Sequence, residues 1–147
     1  MQLLNQPYTR VQRTERATAA LPQTTATAIF TVYTGRILMV QIVGEVTTVI
    51  QTQANNTKLT FDPATGTSVD LCAVLDITAD EVGTLYGITG TLANALVGAG
   101  QVLASQAIPV VIKPGDIDLD CAASNTGNVK WTLFWVPLDA GAYVAAA

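Results

Sequence analysis

The feature that most constrains this chain is a succession of short β-branched and aromatic runs separated by turn residues. From Ala28 onward these runs recur every ~8–12 residues, a spacing typical of a β-sandwich or barrel. The interruptions, such as residues 62–66 and 124–128, are rich in Gly, Pro, Asn and Asp, which favour turns. On this basis strands are predicted near residues 28–33, 36–43, 46–52, 58–61, 69–77, 84–89, 107–112, 116–121 and 129–136.

This pattern predicts an all-β fold, a two-sheet antiparallel sandwich that is jelly-roll-like, with an extended N-terminal arm. Residues 1–26 contain Pro7, Pro22 and a stretch rich in Thr, Ala and Gln, so they are assigned to the arm. A weak helix over residues 7–20 is the alternative. The sandwich domain is assigned to residues 27–147, of which the Ala-rich tail, residues 140–147, should be ordered only if something covers it.

The composition indicates assembly with other subunits. Half of the 147 residues are hydrophobic and only 12% are charged, against about 25% in typical soluble domains. The apolar segment 90–105 shows neither strict alternation nor a complete helical stripe, so it either closes one end of the sandwich or packs against a neighbouring subunit. We favour the second reading, and the predicted subunit-interface residues are Leu92, Leu96, Val97, Val102 and Leu103.

Charge is distributed unevenly along the chain. The net charge is −4, yet Arg10, Arg13 and Arg16 against Glu15 give residues 1–16 a local +2. A basic segment on an acidic body is attracted to an acidic partner surface, so these three arginines are the candidate partner contacts. A frayed, solvated terminus is the alternative. Their spacing of three residues does not make one basic face in an extended chain. The acidic remainder argues against nucleic-acid binding.

The sequence lacks the residue patterns that are typical of catalytic sites. No histidine is present, which removes the commonest general base and metal ligand. Two isolated cysteines cannot complete a zinc site by themselves. Glu81 with a nearby aspartate has no spacing that defines a glycosidase pair, and residues 98–100 lack the context of a phosphate-binding loop. We therefore predict no enzyme activity, no catalytic residue, no metal and no cofactor.

Two further patterns have competing interpretations. Asp116, Asp118 and Asp120 alternate along a predicted strand, which places three carboxylates on one face. A solvated outer face is preferred over a calcium or arginine-binding row. Around Trp131 and Trp135 both faces of the predicted strand are largely apolar, which favours a covered strand or a subunit interface over an exposed sugar-binding platform.

Three features of the sequence indicate where in the cell the protein is made. No apolar run reaches the ~18 residues needed to span a bilayer, since Arg36, Gln41 and Glu45 interrupt the longest candidate. The first ten residues do not resemble a secretory signal peptide. Cys72 and Cys121 are each flanked by apolar residues, which fits buried reduced thiols in a protein made in the cytosol, although a single disulfide stays open.

Three segments carry a resemblance to a known family: GEVTTVIQTQANNTKL (44–59), VDLCAVLDITADEVGTLYGITG (69–90) and VVIKPGDIDLDCAASNTGNVKWTLFWVPLDAGAYV (110–144). They resemble small capsid decoration (cement) proteins of tailed bacteriophages. The resemblance implies a jelly-roll-like sandwich on the outer capsid surface of the virion, made in the host cytoplasm and bound as a homotrimer to the major capsid protein. It carries no active-site residues to transfer.

Other functions remain open at this stage. A trimeric receptor-binding or fibre-tip module would also be β-rich, but it should expose a polar or aromatic pocket. A tail or neck structural subunit would form rings or tubes. A non-viral adhesin or pilus domain is the most distant alternative, because no signal peptide is recognised.

Overall fold

The computed structural model describes residues 10–147, which form twelve β-strands in two antiparallel six-stranded sheets. The sheets pack face to face over one hydrophobic core, which confirms the predicted all-β sandwich. Among the described residues, no helix is long and apolar enough to cross a membrane.

Each sheet draws strands from both halves of the chain. The first sheet contains β1 (Gln12–Ala20), β3 (Ile37–Thr48), β7 (Leu85–Gly87), β8 (Val97–Ala99), β9 (Val110–Ile112) and β11 (Asn128–Pro137). The second sheet contains β2 (Ala26–Tyr33), β4 (Asn56–Pro63), β5 (Val69–Asp70), β6 (Leu75–Asp76), β10 (Gly115–Cys121) and β12 (Tyr143–Ala146).

The strand pairs are nested along the chain. β1 pairs with β11, β2 with β10, β3 with β7 and β4 with β5, and successive pairs alternate between the two sheets. This nesting of antiparallel pairs in two sheets is the arrangement of a jelly roll. Beyond it, β12 extends the second sheet by pairing with β2.

The sandwich begins before residue 27, where the sequence boundary was placed. Residues 12–20, assigned to the N-terminal arm, form the edge strand β1, which runs antiparallel along β11 from Gln12, opposite Trp135, to Ala20, opposite Asn128. The polar composition of β1 gives it little strand signal of its own, so the partner strand stabilises it. Residues 1–9 of the predicted arm lie outside the described part of the chain.

Alternation along β11 fills the centre of the core. Trp131 is 1% exposed and lies opposite Gly44 of β3 in the ladder. A Cβ at Gly44 would lie 2.8 Å from Cζ3 and Cη2 of that indole, so glycine leaves the space that the ring occupies. Tyr86 of β7 lies opposite Gly44 on its other side, and its ring centroid is 6.3 Å from that of Trp131.

The two cysteines are buried and unpaired. Cys121 lies opposite Thr57 on the β10 side of β4, whereas Cys72 accepts a hydrogen bond from the backbone N–H of Leu59 on the β5 side. Two strand spacings of ~4.8 Å therefore separate them. That distance exceeds the ~7 Å between Cα atoms that a disulfide can bridge, so of the two alternatives left open by the sequence, the structure has reduced thiols.

Candidate interaction surfaces

The outer face of the first sheet carries apolar side chains from three adjacent strands. Val111 of β9 and Val136 of β11 both lie opposite Leu38 of β3, and Phe134 follows on the same face of β11. We call these four residues the apolar stripe. Val111 is 57% exposed, and the other three are half-buried. An outward row of this kind leaves apolar surface in water unless another surface covers it.

Basic residues lie at the β1 edge of the stripe. Arg13 is exposed and lies opposite Phe134 in the ladder, and Arg10 is exposed just before β1 begins. Farther along the same face, Lys130 Nζ lies 2.8 Å from Glu15 Oε1, and its hydrogen bond lowers the pKa of Glu15. Lys130 is thus neutralised locally, while Arg13 has no ion pair within residues 10–147.

Arg16 lies on the opposite face of β1 from Arg13, as the three-residue spacing implied. It lies opposite Trp131, is half-buried, and donates from Nε to the carbonyl of Ala147 over 2.9 Å. Burial lowers the pKa of its guanidinium. Arg16 therefore ties the first strand to the end of the chain. The assignment of Arg10, Arg13 and Arg16 as partner contacts stays a prediction.

The apolar segment 90–105 closes one side of the sandwich. Leu96 is 2% exposed, and its backbone N–H donates to the carbonyl of Ala73 over 2.9 Å, while the N–H of Ala73 donates to Asn94. Ala73 lies between β5 and β6, so this exchange joins the edges of the two sheets. Leu96 belongs to the core of its own chain, which removes it from the predicted subunit contact.

The other predicted interface residues divide into two groups. Leu92 is 46% exposed and Val102 is 80% exposed, so both are accessible to a partner. Val97 is half-buried in β8, and Leu103 is half-buried where it packs over Gly87 of β7. Part of the segment therefore closes the sandwich, which was one of the two alternatives. Another part leaves two large apolar side chains, Leu92 and Val102, exposed to water.

The outer face of the second sheet is acidic. Asp116, Asp118 and Asp120 of β10 point outward while the residues between them are buried, as the alternation predicted. Asp62 of β4 lies directly opposite Asp116. Burial, and then repulsion from the three other aspartates, raises the pKa of Asp118 to about 6.

One end of this acidic face is partly neutralised. Lys58 lies opposite Asp120, and its Nζ lies 2.9 Å from Asp70 Oδ1. The hydrogen bond to Asp70 raises the pKa of Lys58. Within residues 10–147, no three carboxylate or thiol groups converge in a way that would hold a metal ion.

At the other end of the second sheet an open groove of about 440 Å³ crosses β2, β10 and β4. We call it the tyrosine groove; the residues that line it include Thr31, Tyr33, Asp62, Pro63, Gly115 and Asp116. Tyr33 is 42% exposed and stacks on Tyr143 of β12 with ring centroids 4.9 Å apart. Sequence reasoning missed this pair, because the aromatic signal was sought around residues 131–135, where both tryptophans prove to be buried.

No family model, no curated protein and no solved structure matches the chain. The surfaces described above are therefore the basis of the functional proposal.

Proposed function

We propose that this chain is a structural protein of a tailed-bacteriophage virion, a capsid decoration (cement) protein that binds the outer surface of the head as a homotrimer and stabilises the shell. The observation that carries the proposal is the chemical difference between the two outer faces of the jelly roll. One face presents the apolar stripe with arginines at its edge, and the other is acidic. The resemblance of segments 44–59, 69–90 and 110–144 to decoration proteins supports the same function.

The apolar stripe supports self-association. Val111 is more than half exposed and is continuous with Leu38 and Val136 across three strands. Val102, which is 80% exposed, adds a further large apolar side chain on the segment that precedes β9. Obligate homo-oligomer interfaces are more apolar than transient ones, so a second copy is the partner that fits this chemistry. The number of three copies comes from the resemblance.

The arginines support attachment to the shell. Arg13 lies at the β1 edge, next to the stripe on the outer face of the first sheet, and Arg10 is exposed just before β1 begins. In a trimer they would be repeated three times around one axis, and binding at one position makes the next two attachments intramolecular. A protein that binds only the assembled lattice of major capsid protein stabilises that lattice by mass action.

Self-association is tested by light-scattering mass in solution. We expect the unmodified chain to have the mass of a trimer and V111K to dissociate, because a lysine in the stripe would be buried on assembly. V82K is the matched control: Val82 is 63% exposed in the turn before β7, so its replacement should leave the trimer intact. A monomer at micromolar concentration, or equal dissociation of both variants, would contradict the proposal.

Shell binding is tested by co-sedimentation with capsids stripped of this protein. We expect the trimer to saturate the shell and raise its disruption temperature, and we expect charge reversal of Arg10 and Arg13 to weaken occupancy. Lys113 is the control: it is exposed beside Val111, at the end of the stripe away from β1, so its charge reversal should have little effect on occupancy. Unchanged occupancy in the double arginine variant would remove these residues from the mechanism. A trimer that ignores capsids and binds cells would favour the receptor-binding alternative.

A further inference from the structure

We propose that the tyrosine groove is a binding site for a neutral carbohydrate. The proposal goes beyond virion structure and does not depend on it, since the groove is formed by strands of the second sheet, whereas the apolar stripe lies on strands of the first. Its volume of about 440 Å³ falls within the ~300–1,000 Å³ of small-molecule sites. Because the lining residues come from three paired strands, the site is held by a rigid scaffold.

A glycine shapes the floor of the groove. Gly115 begins β10 between Val32 of β2 and Pro63 of β4, and it has a φ of 148°. A Cβ at this position would lie 2.4 Å from the carbonyl oxygen of Asp62, so a side chain is excluded. Glycine therefore lets β10 lie close to the end of β4 at the floor of the groove, whose lining includes Tyr33 of β2 and Pro63 of β4.

Tyr33 lines the groove, and its ring is stacked on that of Tyr143. Tyr33 and Tyr143 are cross-strand partners, and their rings are inclined by only 19°. Tyr143 is not among the residues that line the groove, and its stacking on Tyr33 restricts the orientation of that ring. A fixed, partly exposed aromatic ring offers a flat apolar surface with little loss of side-chain entropy on binding, which suits the apolar C–H face of a sugar.

The carboxylates supply hydrogen-bond acceptors for sugar hydroxyls. Asp116 Oδ1 accepts from Thr31 over 2.7 Å, and Asp62 Oδ1 accepts from Ser68 over 2.8 Å. Within the described residues the second oxygen of each carboxylate has no donor. These two aspartates lie directly opposite each other in the ladder, an arrangement that costs stability. Two sugar hydroxyls, one donating to each carboxylate, would offset part of this cost.

The charge of the groove selects the class of sugar. Neither Lys nor Arg is among the residues that line it, and Asp118 adds negative charge farther along the same strand. A carboxylated or phosphorylated glycan would meet like charge without compensation. A hydroxyl-rich neutral sugar avoids that penalty and uses both the ring and the acceptors.

The test is a two-dimensional NMR titration of the full chain with cellobiose, maltose, lactose, mannobiose and N,N′-diacetylchitobiose, with sialyllactose as the acidic comparison. We expect at least one neutral disaccharide to shift the amide signals of residues 31–34 and 115–116 saturably. Sialyllactose should bind more weakly than lactose. Because no capsid is present in this assay, its outcome is independent of the decoration proposal.

Paired variants test whether the tyrosine groove binds the sugar. D116N should lower the affinity about tenfold, as expected for a hydrogen bond to a charged acceptor, and D120N, on the same strand and face but outside the groove, should change it less than about twofold. Y33A should abolish the shifts. No saturable shift with any neutral sugar, binding that survives Y33A, an equal effect of D116N and D120N, or loss of binding in EDTA would each overturn direct recognition by these residues.

Discussion

Replacing Asp118 with asparagine should stabilise this protein near neutral pH and have little effect at about pH 4, because only the ionised carboxylate is unfavourable in the fold. Asp118 lies midway along the acidic face, two residues from Asp116 and two from Asp120. Its cross-strand neighbours are Ala28 on β2 and Thr60 on β4, neither of which carries a charge.

The sign follows from the two pKa values. The pKa of Asp118 is about 6 in the folded chain, against about 3.9 for an unfolded aspartate. Between these values the folded chain holds a proton that the unfolded chain has lost, so the free energy of unfolding falls as the pH rises through this window. The destabilisation is absent below the unfolded value and complete above the folded one.

The magnitude is smaller than the full shift in pKa. A difference of about two units corresponds to about 3 kcal/mol if the carboxylate is shielded from water. Asp118 is only partly buried, and solvent and salt screen its repulsion with the neighbouring aspartates, so about 1 kcal/mol is the expected gain. For a domain of this size that gain raises the melting temperature by about 2–4 °C.

Urea unfolding followed by tryptophan fluorescence measures the effect, at a fixed protein concentration because assembly also contributes to stability. D118N and the unmodified chain should differ at about pH 7.5 and converge at about pH 4. E81Q removes the same charge from an exposed residue before β7 and should change stability by less than about 0.5 kcal/mol. A difference for D118N that is independent of pH, or a loss of stability at pH 7.5, would refute the reasoning.

Two further predictions concern the core. G44A should destabilise the fold by about 1–3 kcal/mol in the same urea assay, since the new Cβ would lie 2.8 Å from the Trp131 indole, whereas G100A, with no heavy atom within 4 Å of its Cβ, should be within about 0.5 kcal/mol of the unmodified chain. Equal effects of the two changes would contradict this packing. Cys72 and Cys121 should react with a thiol reagent only after unfolding, and both should titrate as free thiols without reductant; a single disulfide by mass spectrometry would show that β4 does not separate them.

Strands with strong local patterns were predictable from the sequence. β10 alternates aspartates with apolar residues, and its predicted range of 116–121 differs from the observed strand by one residue. β3 was predicted as two strands, residues 36–43 and 46–52, with Gly44 and Glu45 between them. In the structure Gly44 lies inside one continuous strand, where its missing side chain accommodates Trp131. A tertiary contact therefore overrides the local signal at this position.

The strands that sequence reasoning missed lack such signals. β1 contains mainly Thr, Ala, Arg and Glu, and it is a strand because β11 offers a partner along most of its length. β12 lies in the Ala-rich tail, which was expected to be ordered only if covered, and pairing with β2 together with the Arg16 hydrogen bond to Ala147 fulfils that condition. The stacked pair of Tyr33 and Tyr143 beside the tyrosine groove depends on this late pairing, so no local pattern could have identified it.

Alternation along β1 directs some of its side chains inward, toward the end of the chain, and others outward, toward solvent. The residues that face inward connect the first and last strands of the chain: Thr14 Oγ1 donates to the carbonyl of Val144 over 3.3 Å, and Arg16 reaches Ala147. The outward residue Arg13 makes neither contact and lies beside the apolar stripe. Two arginines three residues apart therefore lie in different environments because a strand places them on opposite faces. Loss of Arg16 should loosen the end of the chain, whereas loss of Arg13 should affect only a partner.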